Sequence, residues 1–106
     1  MREIETPEEF DEVLNGYPGK LVVVDFHASW CGPCKMIGPQ FAKMENDFPD
    51  AVFIKVDVDE LEEVAEQYEV EAMPTFLMFR DSEKVGNMTG ASADKLRETI
   101  TTCYNS

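Results

Sequence analysis

Two cysteines stand three positions apart in Ala28-Ser29-Trp30-Cys31-Gly32-Pro33-Cys34-Lys35. A pair so spaced can close a small disulfide, supply half of a metal site, or sit in a core as small apolar groups. At i and i+3 on the first turn of a helix the two share one face. Their separation then suits a disulfide, whose α-carbons usually lie ~4.4–6.8 Å apart. Pro33 costs little there, because first-turn amides lack an intrahelical partner. It also stiffens the loop, so the sulfurs stay close when reduced. The two cysteines are expected to differ. Cys31 falls at the helix N-terminus, where unpaired amides and the macrodipole favour an anion. That effect is worth at most ~2 kcal/mol, or roughly one to one and a half pKa units. Cys34 is one turn deeper and is expected to be the less exposed. Cys31 is therefore read as the attacking thiolate and Cys34 as the resolving thiol, exchanging through a mixed disulfide.

Other reactive groups lie nearby in the chain. Asp25 interrupts the apolar run Leu21-Val22-Val23-Val24-Asp25-Phe26, ahead of Cys31. If that strand is covered on both faces, desolvation raises the carboxyl toward neutrality. It then suits a general base for the Cys34 proton. The alternative is a strand acid facing solvent. Lys55 interrupts the neighbouring strand in the same way; it either tunes Asp25 or snorkels to solvent. His27 follows Asp25 on the same strand face and invites a Cys–His reading. A strand histidine satisfied by a neighbour is the favoured one. Cys103 lies on an apolar helical stripe and reads as an inert, half-buried thiol, with modification or pairing between chains as the alternative. Structural zinc wants four closed ligands. Beyond the pair only His27 and Cys103 are soft donors, and Cys103 has no ligand partner beside it, so no metal site is expected.

The elements that position these groups can be traced along the chain. Residues 2–5 alternate and read as an edge strand. Thr6 can cap a first helix, with Pro7 at its first position and Glu9 closing a capping box. Phe10, Val13 and Leu14 form its inner face, and Asn15-Gly16 ends it. Lys20 to Ala28 is a strand, apolar at both alternating sets of positions, which implies burial on both faces. Cys31 to about Asp47 is helical, with Ile37, Phe41, Met44 and Phe48 inward. Pro39 removes the bond to the Lys35 carbonyl and should kink this helix. Ala51 to Val58 is a second strand. Asp59 can cap the next helix, with Glu62 at the box position and Leu61, Val64, Ala65 and Tyr68 as its stripe. After Met73-Pro74-Thr75 a strand runs through Phe79. Asp81-Ser82-Glu83 turns into a weaker edge strand, Lys84 to Thr89. Ser92 can cap a last helix that carries Ala93, Leu96, Ile100 and Cys103 or Tyr104 inward. The order β-α-β-α-β-α-β-β-α implies an α/β fold with a central mixed sheet and helices on both faces, parallel at first and closed by an antiparallel hairpin. The cysteine pair then falls at the C-terminal end of a central strand, where open α/β sheets place their sites.

Composition narrows the partners. The chain has 106 residues and 43% hydrophobic content, which suits one domain over residues 1–106 with its own core. Its net charge of −13 argues against nucleic acid and anionic membrane. No apolar run approaches a membrane span. The termini, Met1-Arg2-Glu3-Ile4-Glu5 and Thr102-Cys103-Tyr104-Asn105-Ser106, show no secretory, retention or lipidation signal, so a cytoplasmic location is expected. Three cysteines are too few for the disulfide framework of a secreted domain.

Trp30-Cys31-Gly32-Pro33-Cys34-Lys35, preceded by Val24-Asp25-Phe26 and followed by Met73-Pro74-Thr75-Phe76 and Gly90, resembles the thioredoxin family over essentially the whole chain. The WCGPC form is closer to reducing members than to isomerase-like ones. Val56-Asp57-Val58-Asp59-Glu60 and Ala72-Met73-Pro74 are closest to eukaryotic cytosolic members. The resemblance implies a thioredoxin fold, with five strands flanked by four helices, and protein-disulfide reductase activity. It implies Asp25 as proton acceptor for Cys34, directly or through a water. It also implies a cis Met73–Pro74 bond facing the cysteines, which would leave the Met73 backbone free to pair with an extended peptide. Trp30, Gly32, Pro33, Met73, Pro74 and Gly90 would form a shallow apolar docking surface, although Trp30 could instead be core packing. Expected partners are an NADPH-dependent flavoprotein of thioredoxin reductase type upstream, and peroxiredoxins or ribonucleotide reductase downstream, with no bound cofactor. A redox-switched binding module is the alternative function. Two departures stand out. Many members have Trp, Ser or Tyr at the place of His27, and some carry an extra cysteine at the place of Ala72, so no disulfide-linked dimer forms through position 72.

Overall fold

The computed structural model describes every residue, Met1–Ser106. The elements are β1 (Arg2–Glu3), α1 (Pro7–Asn15), β2 (Leu21–His27), α2 (Gly32–Met44), β3 (Val52–Asp57), α3 (Glu62–Gln67), β4 (Thr75–Arg80), β5 (Glu83–Thr89) and α4 (Ala93–Tyr104). A 3₁₀ turn over Glu45–Asp47 continues α2. The strands lie in the order β1-β3-β2-β4-β5 in one five-stranded sheet. β1, β3 and β2 run parallel, and β4 and β5 complete the sheet antiparallel. This is the mixed topology expected from the order of elements.

β2 is the centre of the molecule. Every residue from Leu21 to Phe26 is at most 1% exposed. Its alternation divides the core in two. Val22, Val24 and Phe26 face one layer, with Phe10, Val13 and Leu14 of α1 and Val64 of α3. Leu21 and Val23 face the other, with Ile37 and Phe41 of α2 and Leu96 and Ile100 of α4. Such double coverage is why the strand reads as apolar throughout.

The caps show where local chemistry departs from the expectation. Thr6 accepts the Glu9 amide at 3.0 Å, with Pro7 opening α1. The Glu9 carboxylate accepts the Glu5 amide at 2.7 Å and pairs with Arg2, with the Thr6 amide as its weakest partner, so the capping box is subordinate to these contacts. α3 starts from Leu61 with no side-chain cap. Asp59 is therefore not a helix cap; its carboxylate serves the Trp30 indole instead. Ser92 caps α4 by accepting the Lys95 amide at 3.3 Å. α2 stays helical through Pro39 as far as Met44, and the buried Ile37, Phe41 and Met44 pin both sides of the proline to the sheet.

β5 is an outer strand, reached from β4 through Asp81 and Ser82 at φ 52° and 67°. Positive φ at both positions is the geometry of a two-residue hairpin turn. Gly86 lies where α4 crosses this strand. A Cβ there would stand 2.6 Å from Cys103 Sγ and 3.4 Å from Met78 Sδ. Overpacking of this kind costs ~1–3 kcal/mol. Gly86→Ala should lower the urea-unfolding free energy by about that much, and adding Cys103→Ala should recover part of the loss. Fully additive losses in the double variant would show that the two positions are not in contact.

Candidate active site

β2 ends at His27, and Ala28-Ser29-Trp30 lead directly into α2. Cys31 is the N-cap of α2, with extended backbone. Its Sγ accepts the Cys34 amide at 3.1 Å. No acidic residue stands in the first turn, so nothing there opposes a negative sulfur. Cys31 and Cys34 are joined as a disulfide with their α-carbons 5.3 Å apart. Ala28, Val58 and Met73 pack around the bond.

Exposure does not rank the two sulfurs as expected. Cys31 is 4% exposed and Cys34 6%. Both residues are buried, in a cluster with Ala28 against which Val58 and Met73 pack. What separates them is bonding and neighbourhood. Cys31 carries the amide hydrogen bond, whereas Cys34 lines a cleft of about 450 Å³ with Asp25, His27, Ser29, Lys35 and Lys55.

Asp25 lies on the α2 and α4 side of β2, in register with Lys55 of β3 and Phe76 of β4. It is 1% exposed, and its Oδ1 has no hydrogen-bond partner. Burial pushes its carboxyl up to about 6, while His27 and Lys55 pull it the other way and Glu3 adds to the rise. The solvent-facing alternative for Asp25 is thus excluded. Lys55 is half-buried in the adjacent strand position and makes no ion pair. His27 Nε2 lies 3.1 Å from Glu3 Oε2 on β1. Cys103 is buried on α4 against β5, with its thiol held above the ordinary range by burial.

The remaining residues surround this centre. Trp30 is 67% exposed, which excludes core packing, and its indole N–H donates to Asp59 Oδ2 at 2.8 Å. Gly32 and Pro33 are exposed. The Met73–Pro74 bond is cis. Met73 is half-buried against the disulfide cluster, and its N–H and C=O make no hydrogen bond within the chain. The Gly90 amide donates to the Pro74 carbonyl at 3.0 Å, and Gly90 has φ +107°, a conformation that side chains rarely adopt.

The thioredoxin family model matches residues 2–102. The chain belongs to the thioredoxin family. An H-type thioredoxin of Oryza sativa subsp. indica is 58% identical over 95 residues, which is 88% of this chain and 78% of that one. The thioredoxin of Fasciola hepatica, solved by X-ray, superposes with a TM-score of 0.93 at 45% identity, covering 96% of this chain and 98% of that one. A chain from a structural study of the thiol resolving mechanism of a yeast mitochondrial 1-Cys peroxiredoxin, by way of the glutathione and thioredoxin systems, gives a TM-score of 0.89 at 35% identity over 96% and 94%. The fold is the thioredoxin fold, and this family member is a thiol–disulfide oxidoreductase with a redox-active cysteine pair.

Three neighbours of the site were not visible as such in the sequence. Asp59 reads as a helix cap, because acid-x-x-Glu before an apolar stripe is a capping pattern. Val58 reads as the end of a strand. Glu3 lies in a strand of two residues, too short to show periodicity; only its register opposite Lys55 brings it to the site.

The burial of Asp25 has a sign that stability measurements can read. Its folded pKa of about 6 lies above the ordinary value of 3.8. Between those values the folded chain holds a proton that the unfolded chain has released, so stability falls as pH rises through the window. The loss is roughly 3 kcal/mol at one kcal-scale step of ~1.4 per pKa unit. Urea unfolding of the oxidised protein should show this decline, and Asp25→Asn should abolish it and be the more stable near neutral pH. A variant with the same pH slope as the parent would show that the carboxyl is hydrated.

Proposed function

We propose that the chain is a protein-disulfide reductase in which Cys31 attacks and Cys34 resolves. The observation that carries the assignment is the Cys34 amide on Cys31 Sγ at the N-cap of α2. A thiolate at that sulfur gains a donor and the favourable end of the helix dipole. The Cys31 thiolate attacks one sulfur of a substrate disulfide, and the other leaves as a thiolate. Asp25, lining the cleft with Cys34, takes the Cys34 proton. The Cys34 thiolate then attacks Cys31 Sγ and displaces the attacked substrate sulfur, which leaves as the second thiolate. Two electrons have passed to the substrate, and the chain is left with the Cys31–Cys34 bond. A carboxyl near the working pH suits this exchange of a proton. Lys55 acts as a tuning charge on Asp25.

Docking rests on Trp30, Gly32, Pro33, Met73 and Gly90; Pro74, expected on this surface, is buried beneath it. The unpaired Met73 backbone supports pairing with an extended peptide, and the exposed Trp30 supplies an apolar platform held by Asp59. The two thiols hold the transferred electron pair themselves, so no bound cofactor is needed. Re-reduction is assigned to an NADPH-dependent flavoprotein reductase. The substrates are disulfide proteins such as peroxiredoxin or ribonucleotide reductase; the likeness to the chain from the yeast peroxiredoxin study supports the first. The wording of the motifs and the rice and fluke relatives support a eukaryotic type, acting as one domain. A reducing compartment such as the cytoplasm suits a pair that must return to the dithiol. No helix is long and apolar enough to cross a membrane.

Cys34→Ser should accumulate a stable mixed disulfide with a peptide substrate, and Cys31→Ser should form none. Asp25→Asn should slow multiple-turnover insulin reduction at pH 7 by about tenfold or more, within the ~10²–10⁴ range of positioned acid–base groups, while leaving mixed-disulfide formation by Cys34→Ser unchanged in the double variant. Trapping through position 34 would reverse the two roles. Absence of turnover in the parent chain would leave the redox-switched binding module.

A further inference from the structure

We propose that Thr75 is a positioning residue for substrate docking: its hydroxyl fixes the peptide plane that offers the Met73 N–H to an incoming chain. The inference rests on the reading of the Met73 backbone as a docking edge. Asp25 and Thr75 are the polar residues among those buried in this molecule. Asp25 belongs to the exchange chemistry, which makes no use of Thr75. A hydroxyl sealed inside a protein costs free energy unless it is bonded. A β-branched valine would suit a buried strand position without that cost. The hydroxyl at this place therefore calls for a role of its own.

Thr75 Oγ1 donates to the Ala72 carbonyl at 2.5 Å. That carbonyl and the Met73 N–H belong to one peptide unit. The cis bond of the chain is Met73–Pro74, so the Ala72–Met73 unit is trans. In a planar trans unit the C=O and the N–H point in opposite directions. Drawing the carbonyl towards buried Thr75 therefore turns the Met73 N–H away from it. No group of the chain meets that N–H, which is left to an acceptor on an extended peptide.

Hydrogen bonding offers this segment no other tether. The Val70 amide is tied to the Ala65 carbonyl on one side, and the Pro74 carbonyl to the Gly90 amide on the other. Between them Glu71, Ala72 and Met73 have the Thr75 contact alone. Ala72 is exposed, so without the hydroxyl its carbonyl can turn to water and the plane with it. Thr75 is itself fixed, because it opens β4 between Phe26 of β2 and Thr89 of β5. A strand residue thus sets the direction of a loop peptide, and an edge already oriented binds without the cost of ordering it.

The test measures attack by Cys31 in the Cys34→Ser background on a peptide disulfide, on the same peptide with esters in place of the amides flanking its cysteine, and on an aromatic disulfide with no peptide group. An ester is the weaker acceptor and lacks the N–H, so the amide-to-ester ratio reports backbone pairing. Thr75→Val should slow attack on the amide peptide about fivefold, the worth of one hydrogen bond, and erase most of the parent's preference for amide over ester. The aromatic disulfide should react at the parent rate. Thr75→Ser keeps the hydroxyl and should match the parent on every substrate. Thr75→Ala removes the same hydroxyl and is read in the same way if Thr75→Val does not fold. If the parent attacks amide and ester peptides alike, the docking edge fails and the proposal with it. If the parent prefers the amide and the variants without the hydroxyl keep that preference, the docking reading stands and the role of Thr75 is overturned. Equal slowing on the aromatic disulfide, or a Thr75→Ser variant as slow as Thr75→Val, overturns it too, since Thr75 would then act through packing or through Cys31.

Discussion

Burial of β2 on both faces is the constraint on which the rest depends. A strand covered by α1 and α3 on one side and by α2 and α4 on the other can carry no ordinary charge. Asp25 is the exception, and the cost of desolvating its charged form is what moves its proton affinity into the working range. The same strand ends where α2 begins, with three residues between His27 and the cap at Cys31. One element therefore sets both the proton affinity of Asp25 and the position of the sulfurs.

The two sulfurs differ through the ends of secondary structure, not through depth. Cys31 closes the N-terminus of α2, where its sulfur does the work a serine or aspartate oxygen does in an ordinary cap. Cys34 is already inside the helix, turned toward the cleft that holds Asp25. The cap sulfur carries an amide hydrogen bond at a helix N-terminus, whereas the interior sulfur shares its cleft with the Asp25 carboxyl. Exposure does not separate them, because both residues are buried.

The strands and helices were legible in the sequence wherever burial was strong. The apolar run before the cysteines and the stripe Ile37, Phe41 and Met44 appear where periodicity places them, with strand ends displaced by a residue. The reading fell short where one residue type serves two purposes. Asp59 and Glu9 both satisfy local capping patterns, yet Asp59 is drawn to the distant Trp30, and Glu9 is drawn mainly to Arg2 and the Glu5 amide. Capping is worth about 1 kcal/mol, so a competing hydrogen bond of similar size can redirect a carboxylate. Depth of burial within the disulfide was equally illegible, since it depends on Met73 and Val58, which come from separate segments.

The register across the sheet divides the surroundings of Asp25 into a charged side and an apolar side. At the level of Asp25 the strands present Glu3, Lys55, Asp25, Phe76 and Met88 in spatial order. The β4 and β5 members are apolar and buried in the layer with Leu96 and Ile100, so no polar route leads out past α4. The β1 and β3 members are charged and alternate in sign outward from the base. Alternation keeps the row from repelling itself, and charge at the short edge strand keeps that end hydrated. The surroundings of Asp25 are therefore charged in the direction of β1 and apolar in the direction of β5. His27, at the next inward-facing position of β2 and paired to Glu3, stands on the charged side.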